Sequence, residues 1–403
     1  MLLPQQFEAR QHLAGVKVAA LFMEAGTGKT RTVLELLRLI PELDYVLYVA
    51  PLRTIKSEKY EESIPYECEK HGGIHVQHDF MGVESIGQSD RIYLNVRERL
   101  LSAKCAAIVV DESIKIKNIE AKRTKRIIEL GTHVQYKYVL NGTPITRDLL
   151  DVWSQFEFLS PKILGMNLAQ FKNTYCEWVR KTTRHNGKTT VDEFITGYHN
   201  IDHLYSIIRP YVYECDLVLD VDEETKEVEY KLSDEDRDTY NELKRKYLDN
   251  EKLAFLRNNI FIELTQKMQH EYCCTEDKFV KLAEIISSHN KEKVIVYCKF
   301  ILSREQVQQR FPDVEVLSYG KHTYGLNKQS KNVTVFFDRT FDYGQYIQAK
   351  RRTYRTGQKD NCTYYNLTGD VGLEDMLRKN NIKKQSLLQY FKQKTAEEII
   401  SEL

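Results

Sequence analysis

Several absences narrow the chain before any motif is considered. No apolar run approaches the ~20 residues that a membrane-spanning helix requires. The opening residues MLLPQQFEARQHL have no basic segment leading into a long apolar one, so a soluble, non-exported protein with no membrane partner is expected. The eight cysteines show no CxxC spacing, and the adjacent Cys273 and Cys274 make a poor zinc signature. Reduced thiols in a cytosol-like compartment are the expectation. Neither sign of charge is in excess, with 59 Lys and Arg against 58 Asp and Glu. That excludes a global field drawing the protein onto nucleic acid and leaves only local basic patches for such binding. Internal repeats and low-complexity tracts are missing too. What remains is a chain of 403 residues, 42% hydrophobic and 29% charged, an ordinary globular composition at a length that allows two or three domains.

The strongest local signal is MEAGTGKT at 23–30, between the apolar stretch VKVAALF and the amphipathic run RTVLELLRLI. A phosphate-binding loop needs backbone N–H groups converging at a helix N-terminus, with glycine wherever a side chain would block the approach. Gly26 and Gly28 meet that need, Lys29 can reach outer phosphates, and the Thr30 hydroxyl can bind magnesium. The GxxxxGK[ST] pattern asks for glycine at 23, where this chain has Met23, so only its second half is matched. The context is right: a strand runs in over Val16 to Phe22. A helix runs out with Val33, Leu34, Leu36, Leu37 and Ile40 on one face until Pro41. Read alone, the loop could still be a strand-to-helix turn without a ligand.

A partner site follows. CAAIVVDES is a buried-strand run that ends in Asp111 and Glu112, and open α/β sheets bind ligands at the carboxyl ends of their strands. Asp111 can hold magnesium, and Glu112 can polarise an attacking water, a role for a carboxylate beside the metal rather than on it.

A further strand, YKYVL, leads into NGTP at 141–144, and QAKRRTYRTGQ spans 348–358. With these added, the chain resembles the superfamily-two helicase-like motors, and within them the Swi/Snf-type DNA translocase ATPases of the compact phage and bacterial type. The likeness is ordered along nearly the whole chain. LLPQQ looks like an adenine-reading glutamine motif with Gln6 in the glutamine position. MEAGTGKT matches a family loop whose first position is not glycine, so Glu24, Ala25, Gly26, Thr27, Gly28, Lys29 and Thr30 are expected to hold the nucleotide. YVLYVAPLRTI resembles the next motif, and IYLNVRE the one after, with Asn95 in its asparagine position. DESIKIKN resembles the acid motif with its lysine-asparagine tail, Lys117 and Asn118. LNGTPITRDLLDVWSQFEFLSP is similar to the coupling motif. KVIVYCKF, then YGLN at 324–327, then QAKRRTYRTGQ complete a second lobe, bringing Gly325, Asn327 and Gln348 to the nucleotide.

The last motif also reads on chemical grounds. Arg352 and Arg355, three apart, would share a helical face and reach one anionic target. A guanidinium is planar, always charged and multiply donating, which suits the spreading charge of a phosphoryl transition state. Such a finger is worth roughly 10³ to 10⁵ in rate.

These anchors give the expected organisation: an α/β protein with two RecA-like parallel-sheet lobes, at 1–155 and 275–403, and a largely helical insertion at 156–274. The insertion carries a hairpin in which Asn186-Gly187 is a type I′ turn signal. The second lobe departs from the family, since one helix (SREQVQQRF) and one strand (VEVLS) stand where two strand-helix units are expected. The resemblance implies ATP and Mg2+ as cofactors and duplex DNA as partner, tracked along its phosphates by a monomer in a bacterial or phage-infected cytosol. A replication, recombination or repair protein is a further possible partner. Candidate phosphate contacts are Arg53, Thr54, Lys115, Lys117, Asn118, Arg184, Lys188 and Lys321. The expected function is an ATP-dependent translocase on double-stranded DNA. The alternatives are a strand-separating DNA or RNA helicase and a nucleotide-gated DNA clamp with little motor output.

Overall fold

The computed structural model describes residues 2–57, 59–142, 149–185, 188–248, 266–319, 328–340, 342–375 and 377–378, with backbone alone at 181–185, 188–192, 194, 196 and 244–248. The chain divides into two compact units. One runs up to Glu177 and takes in Gly197–Val218. The other holds Trp178–Thr196 and the described chain from Leu219 on.

The first unit is built on a six-stranded parallel sheet. Its strands are β1 (Val18–Met23), β2 (Tyr45–Ala50), β3 (Gln77–Gly82), β4 (Ala106–Asp111), β5 (Tyr136–Leu140) and β8 (Val212–Cys215), in the order β3-β2-β4-β5-β1-β8. The inner strands read as unbroken apolar runs because they are covered on both faces, and every residue of β2 and β4 is buried. Helix Lys29–Arg38 packs on the sheet through Val33, Leu34, Leu36 and Leu37, the stripe that the 3.6-residue period marks out. Register sets the chemistry: Leu21 of β1 and Asp111 of β4 both pair with Leu140 of the intervening β5. The loops that leave β1, β5 and β4 therefore start at one level on the carboxyl edge.

The second unit holds a five-stranded parallel sheet, in the order β11-β10-β12-β13-β9: β9 (Glu223–Tyr230), β10 (Val294–Cys298), β11 (Glu315–Ser318), β12 (Val333–Phe336) and β13 (Cys362–Gly369). Helix Glu276–Ser287 covers one face with Phe279, Leu282, Ile285 and Ile286, which join Met268, Tyr272 and Phe337 in the core. As the sequence indicates, a single helix (Ile301–Arg310) and a single strand (β11) follow β10.

The stretch 156–274 is less uniformly helical than expected. It contains a two-stranded sheet of β6 (Cys176–His185) and β7 (Lys188–Tyr198), and it also donates β8 to the first sheet and β9 to the second. The reason is an edge effect. The β9 sequence EETKEVEY is mostly solvent-exposed, so it shows no apolar run, yet it pairs with β13 over its whole length, Glu223 with Cys362 through Tyr230 with Gly369.

Candidate functional site

The loop after β1 has the backbone that its glycines predict. Gly26 and Gly28 take left-handed φ values of 93° and 90°, conformations costly for any residue with a Cβ. Gly28 is the N-cap of helix Lys29–Arg38, so the loop opens onto a helix N-terminus. A Cβ on Gly28 would lie 1.9 Å from the Gln6 amide nitrogen. Buried Gln6 accepts a hydrogen bond from the Leu3 N–H (2.9 Å) and donates to the Gly28 carbonyl (3.5 Å), which fixes the N-terminal helix against the loop. The Lys29 ammonium donates to the carbonyls of Met23 (2.8 Å) and Glu24 (3.2 Å). Thr27 is fully buried and its hydroxyl donates to the Glu24 carbonyl (2.7 Å), so its side chain braces the loop.

Across the carboxyl edge, β4 ends in the two acids. Asp111 is buried and accepts from the Glu112 N–H (2.9 Å) and the Tyr48 hydroxyl (3.2 Å). Burial first, and then the negative Glu112, push its carboxyl up to about 6, against the opposing pull of Lys29 and of those two hydrogen bonds. Glu112 itself sits at φ 50°, ψ 51°, a left-handed conformation uncommon outside glycine. That kink turns the chain out of the strand at the acid pair. Tyr48, from the middle of β2, thus reaches across to the metal-side acid through its hydroxyl. The sequence reading passed it over as one more residue of an apolar strand; a lone hydroxyl in the buried run YVLYVA was the available signal. Gly142 after β5 completes the floor. A Cβ there would meet Ala25 N at 3.4 Å and the Lys29 ammonium at 3.6 Å.

Thr54 is buried and its hydroxyl donates to the Pro51 carbonyl three residues back (2.8 Å). Arg53 is exposed beside it. Lys117 forms an ion pair with buried Asp151 (3.6 Å), and the Asn118 side chain accepts from the Glu120 N–H (3.0 Å). Ser113 donates to Gln155 (2.6 Å), which ties the turn after the acids to helix Leu150–Leu159. Asn95 lies elsewhere. It sits on helix Asp90–Ser102 and lines a polar cavity of about 460 Å³ with Asp44, Tyr45 and Gln77, at the amino ends of β2 and β3 and away from the loop. The residue after β3 that does reach the carboxyl edge is Glu84, whose carboxylate accepts from the Leu52 N–H (2.9 Å). Spacing alone missed it because β3, QHDFMG, is too polar and exposed to read as a strand.

In the second unit, Gln348 lies on helix Tyr343–Lys350, but the two arginines do not share its face. The helix ends at Lys350, where the Tyr364 hydroxyl and the Thr353 hydroxyl both donate to the terminal carbonyl (3.1 Å each). Arg352, buried, and Arg355, half-buried, lie in the turn beyond. Gln358 shapes that turn. Its amide donates to the carbonyls of Lys331 (2.8 Å) and Thr353 (3.0 Å) and accepts from the N–H groups of Lys359 (2.9 Å) and Asp360 (3.0 Å). Gly357, at φ 95°, permits the reversal. A buried Lys278–Asp338 ion pair (2.7 Å) stands at the end of β12, and Asp338 also accepts from the Lys299 N–H (2.9 Å) that follows β10.

On the hairpin, Arg180 pairs with Glu193 (2.9 Å) and stacks over Trp178. Arg184 and Lys188 belong to its strands, with side chains outside the described residues. Lys321, Gly325, Asn327, the Asn186-Gly187 turn and the TP of NGTP also lie outside them. All eight cysteines are free, and among the described residues no cluster of three His, Cys, Asp or Glu could hold a metal. No described helix is long and apolar enough to cross a membrane.

Residues 82–302, more than half of the chain, match the family profile described as SNF2-related domain. The transcription regulatory protein SNF2 of Saccharomyces cerevisiae is 22% identical over 72% of this chain and 21% of its own length. An uncharacterized ATP-dependent helicase of Mycoplasma pneumoniae is 24% identical over 70% of this chain and 30% of its own. The chain thus spans about a fifth to a third of the length of these curated relatives. Among solved structures, the Sulfolobus solfataricus SWI2/SNF2 ATPase core in complex with dsDNA aligns over 96% of this chain and 92% of its own, with a TM-score of 0.43 and 18% identity. With the profile match extending over most of the region between the loop after β3 and the start of the helix after β10, the chain belongs to the SNF2-related domain family.

Proposed function

We propose that this chain is an ATPase that uses Mg2+·ATP to translocate along duplex DNA. One observation carries the reading. A left-handed glycine loop bearing Lys29 and Thr30 opens at the same sheet level as the Asp111–Glu112 pair, and the Tyr48 hydroxyl donates to Asp111. The residues fit a bound nucleotide: Gly26 and Gly28 take left-handed φ values immediately ahead of a helix N-terminus that carries Lys29 and Thr30. The backbone of residues 24–30 and the Lys29 ammonium would hold the phosphates, and Thr30 and Asp111 the metal. Mg2+·ATP, when bound, supplies the anhydride whose cleavage drives movement.

The chain's own groups do the rest. Glu112 positions a water and takes its proton, with its half-exposed carboxylate set at a kink just beyond the strand. Arg352 and Arg355, set in a turn rather than on a flexible stem, offer donors to developing negative charge. Gln6 is assigned to the nucleotide base, and Gln348, Gly325 and Asn327 are assigned to the nucleotide as well. Arg53, Lys117, Asn118, Arg184, Lys188 and Lys321 are assigned to DNA phosphates, contacts that carry no base preference.

The test is the ATPase rate against duplex DNA, single-stranded DNA and RNA at one fixed salt concentration, because phosphate contacts make affinity salt-dependent. Duplex is expected to stimulate most, and Glu112→Gln to abolish turnover. Undiminished hydrolysis by Glu112→Gln would overturn the assignment, and equal stimulation by RNA would overturn the duplex reading.

A further inference from the structure

Glu24 makes three kinds of contact at once. Its N–H donates to the Cys215 carbonyl at the end of β8 (2.9 Å). Its carbonyl accepts from the Lys29 ammonium (3.2 Å), the Thr27 hydroxyl (2.7 Å) and the Thr27 N–H (3.3 Å). Its carboxylate accepts from the Leu217 N–H (3.1 Å). Glu24 is 9% exposed and Leu217 7%, whereas the next residue, Val218, is 86% exposed. Leu217 and Val218 are the last residues of this stretch in the first unit. From Leu219 the chain belongs to the second unit, and at Glu223 it enters β9, an edge strand of the second sheet.

We infer that Glu24 is a positioning residue that ties the nucleotide loop to the chain connecting the two units, and that nucleotide binding loosens this tie. The inference rests on the nucleotide-loop reading above. Two physical consequences point in the same direction. Phosphate oxygens recruit Lys29, which withdraws a charged donor from the Glu24 carbonyl. Phosphates also bring negative charge up to a loop whose carboxylate is held in a largely buried place, where like charges repel more strongly than in water. A ligand can shift a conformation only through contacts that differ between the two states, and Glu24 supplies such a difference. With nucleotide present, the hydrogen bond to Leu217 is weakened, and the start of the connector gains freedom that it lacks without nucleotide.

The test is hydrogen exchange at the Leu217 amide in the full chain, with and without a non-hydrolysable ATP analogue and Mg2+, alongside a fluorescent-nucleotide titration. In the absence of nucleotide, Glu24→Ala is expected to speed exchange at Leu217 by roughly ten- to a hundredfold, the worth of a hydrogen bond to a charged group. Glu24→Gln, which keeps an acceptor oxygen, should retain most of the protection. Adding the analogue to the wild-type protein should speed exchange at Leu217, and adding it to Glu24→Ala should change little. Wild-type exchange at Leu217 in Glu24→Ala, or bound analogue that leaves wild-type exchange unchanged or slows it, overturns the inference. No nucleotide binding in the titration instead overturns the nucleotide-loop reading itself. If Glu24→Ala does not fold, the wild-type comparison with and without analogue and the Glu24→Gln protein still decide.

Discussion

Gln358 touches no candidate ligand, yet its loss should disable the arginine turn. Its side chain makes four hydrogen bonds, all to backbone: to the carbonyls of Lys331 and Thr353 and from the N–H groups of Lys359 and Asp360. A neutral intramolecular hydrogen bond is worth about 0.5–1.5 kcal/mol net, so four give roughly 2–6 kcal/mol. The Lys359 end of the turn is exposed and can turn to water, while the Thr353 carbonyl belongs to a fully buried residue. A loss of about 3 kcal/mol for Gln358→Ala follows, within the range of a broken buried network. The catalytic consequence is separable from the stability loss. Arg352 and Arg355 lie inside the loop that Gln358 closes, and misplacing a catalytic group by an ångström costs on the order of 10²-fold. Denaturant unfolding and duplex-stimulated ATPase should therefore be measured together on Gln358→Ala, Arg355→Ala and the wild type, at a temperature where all are folded. Gln358→Ala should lose about 3 kcal/mol and on the order of a hundredfold in turnover, and Arg355→Ala should lose turnover with little change in stability. Wild-type turnover in a clearly destabilised Gln358→Ala would refute the argument that this turn presents the arginines.

Asp111 gives a pH-dependent prediction with an unusual sign. Its carboxyl is raised from an ordinary 3.8 to about 6. The cost of holding it charged in the folded protein is therefore absent below the unfolded pKa, grows as pH rises through the folded one, and levels off at about 3 kcal/mol above it. In metal-free buffer, Asp111→Asn should be more stable than the wild type by up to ~3 kcal/mol near pH 7.5 and equal to it near pH 4, read from denaturant midpoints across that range. A difference that does not vary with pH would refute the origin in burial. Gly28→Ala places a methyl 1.9 Å from the Gln6 amide and forces alanine to a φ of 90°, at roughly 1–2 kcal/mol for the backbone alone. Nucleotide affinity should fall at least about tenfold in a fluorescent-nucleotide titration. Unchanged affinity would show that the Gly28 cradle is not where phosphate binds.

Both halves of the proposed nucleotide site can be read in the sequence, because each depends on local chemistry. GTGKT needs only left-handed glycines ahead of a helix, and DE needs only a buried strand to end on. The inner strands were legible for the same kind of reason, since burial on both faces writes an apolar run into VAALFM, YVLYVA, AAIVVD and VIVYC. The edges were not. β3, β8 and β9 are short, polar or exposed, and they become strands only when a neighbour supplies the other half of the hydrogen-bond ladder. Asn95 sits on helix Asp90–Ser102, beside the amino ends of β2 and β3.

What the sequence determined by itself was which groups the chain owns for phosphate chemistry and the order in which it carries them. Tertiary structure alone decided which of them meet. Pairing of Leu140 with both Leu21 and Asp111 is a matter of sheet register, and it sets the lysine loop and the acids at one edge. The Tyr48 hydrogen bond to Asp111 depends on β2 lying beside β4, and the grip of Glu24 on Leu217 depends on β8 lying beside β1. The ending of the arginine helix at Lys350 depends on a tyrosine from β13 reaching its last carbonyl. Each of these contacts joins residues far apart in the chain, and no local periodicity encodes a neighbour that only packing brings into range.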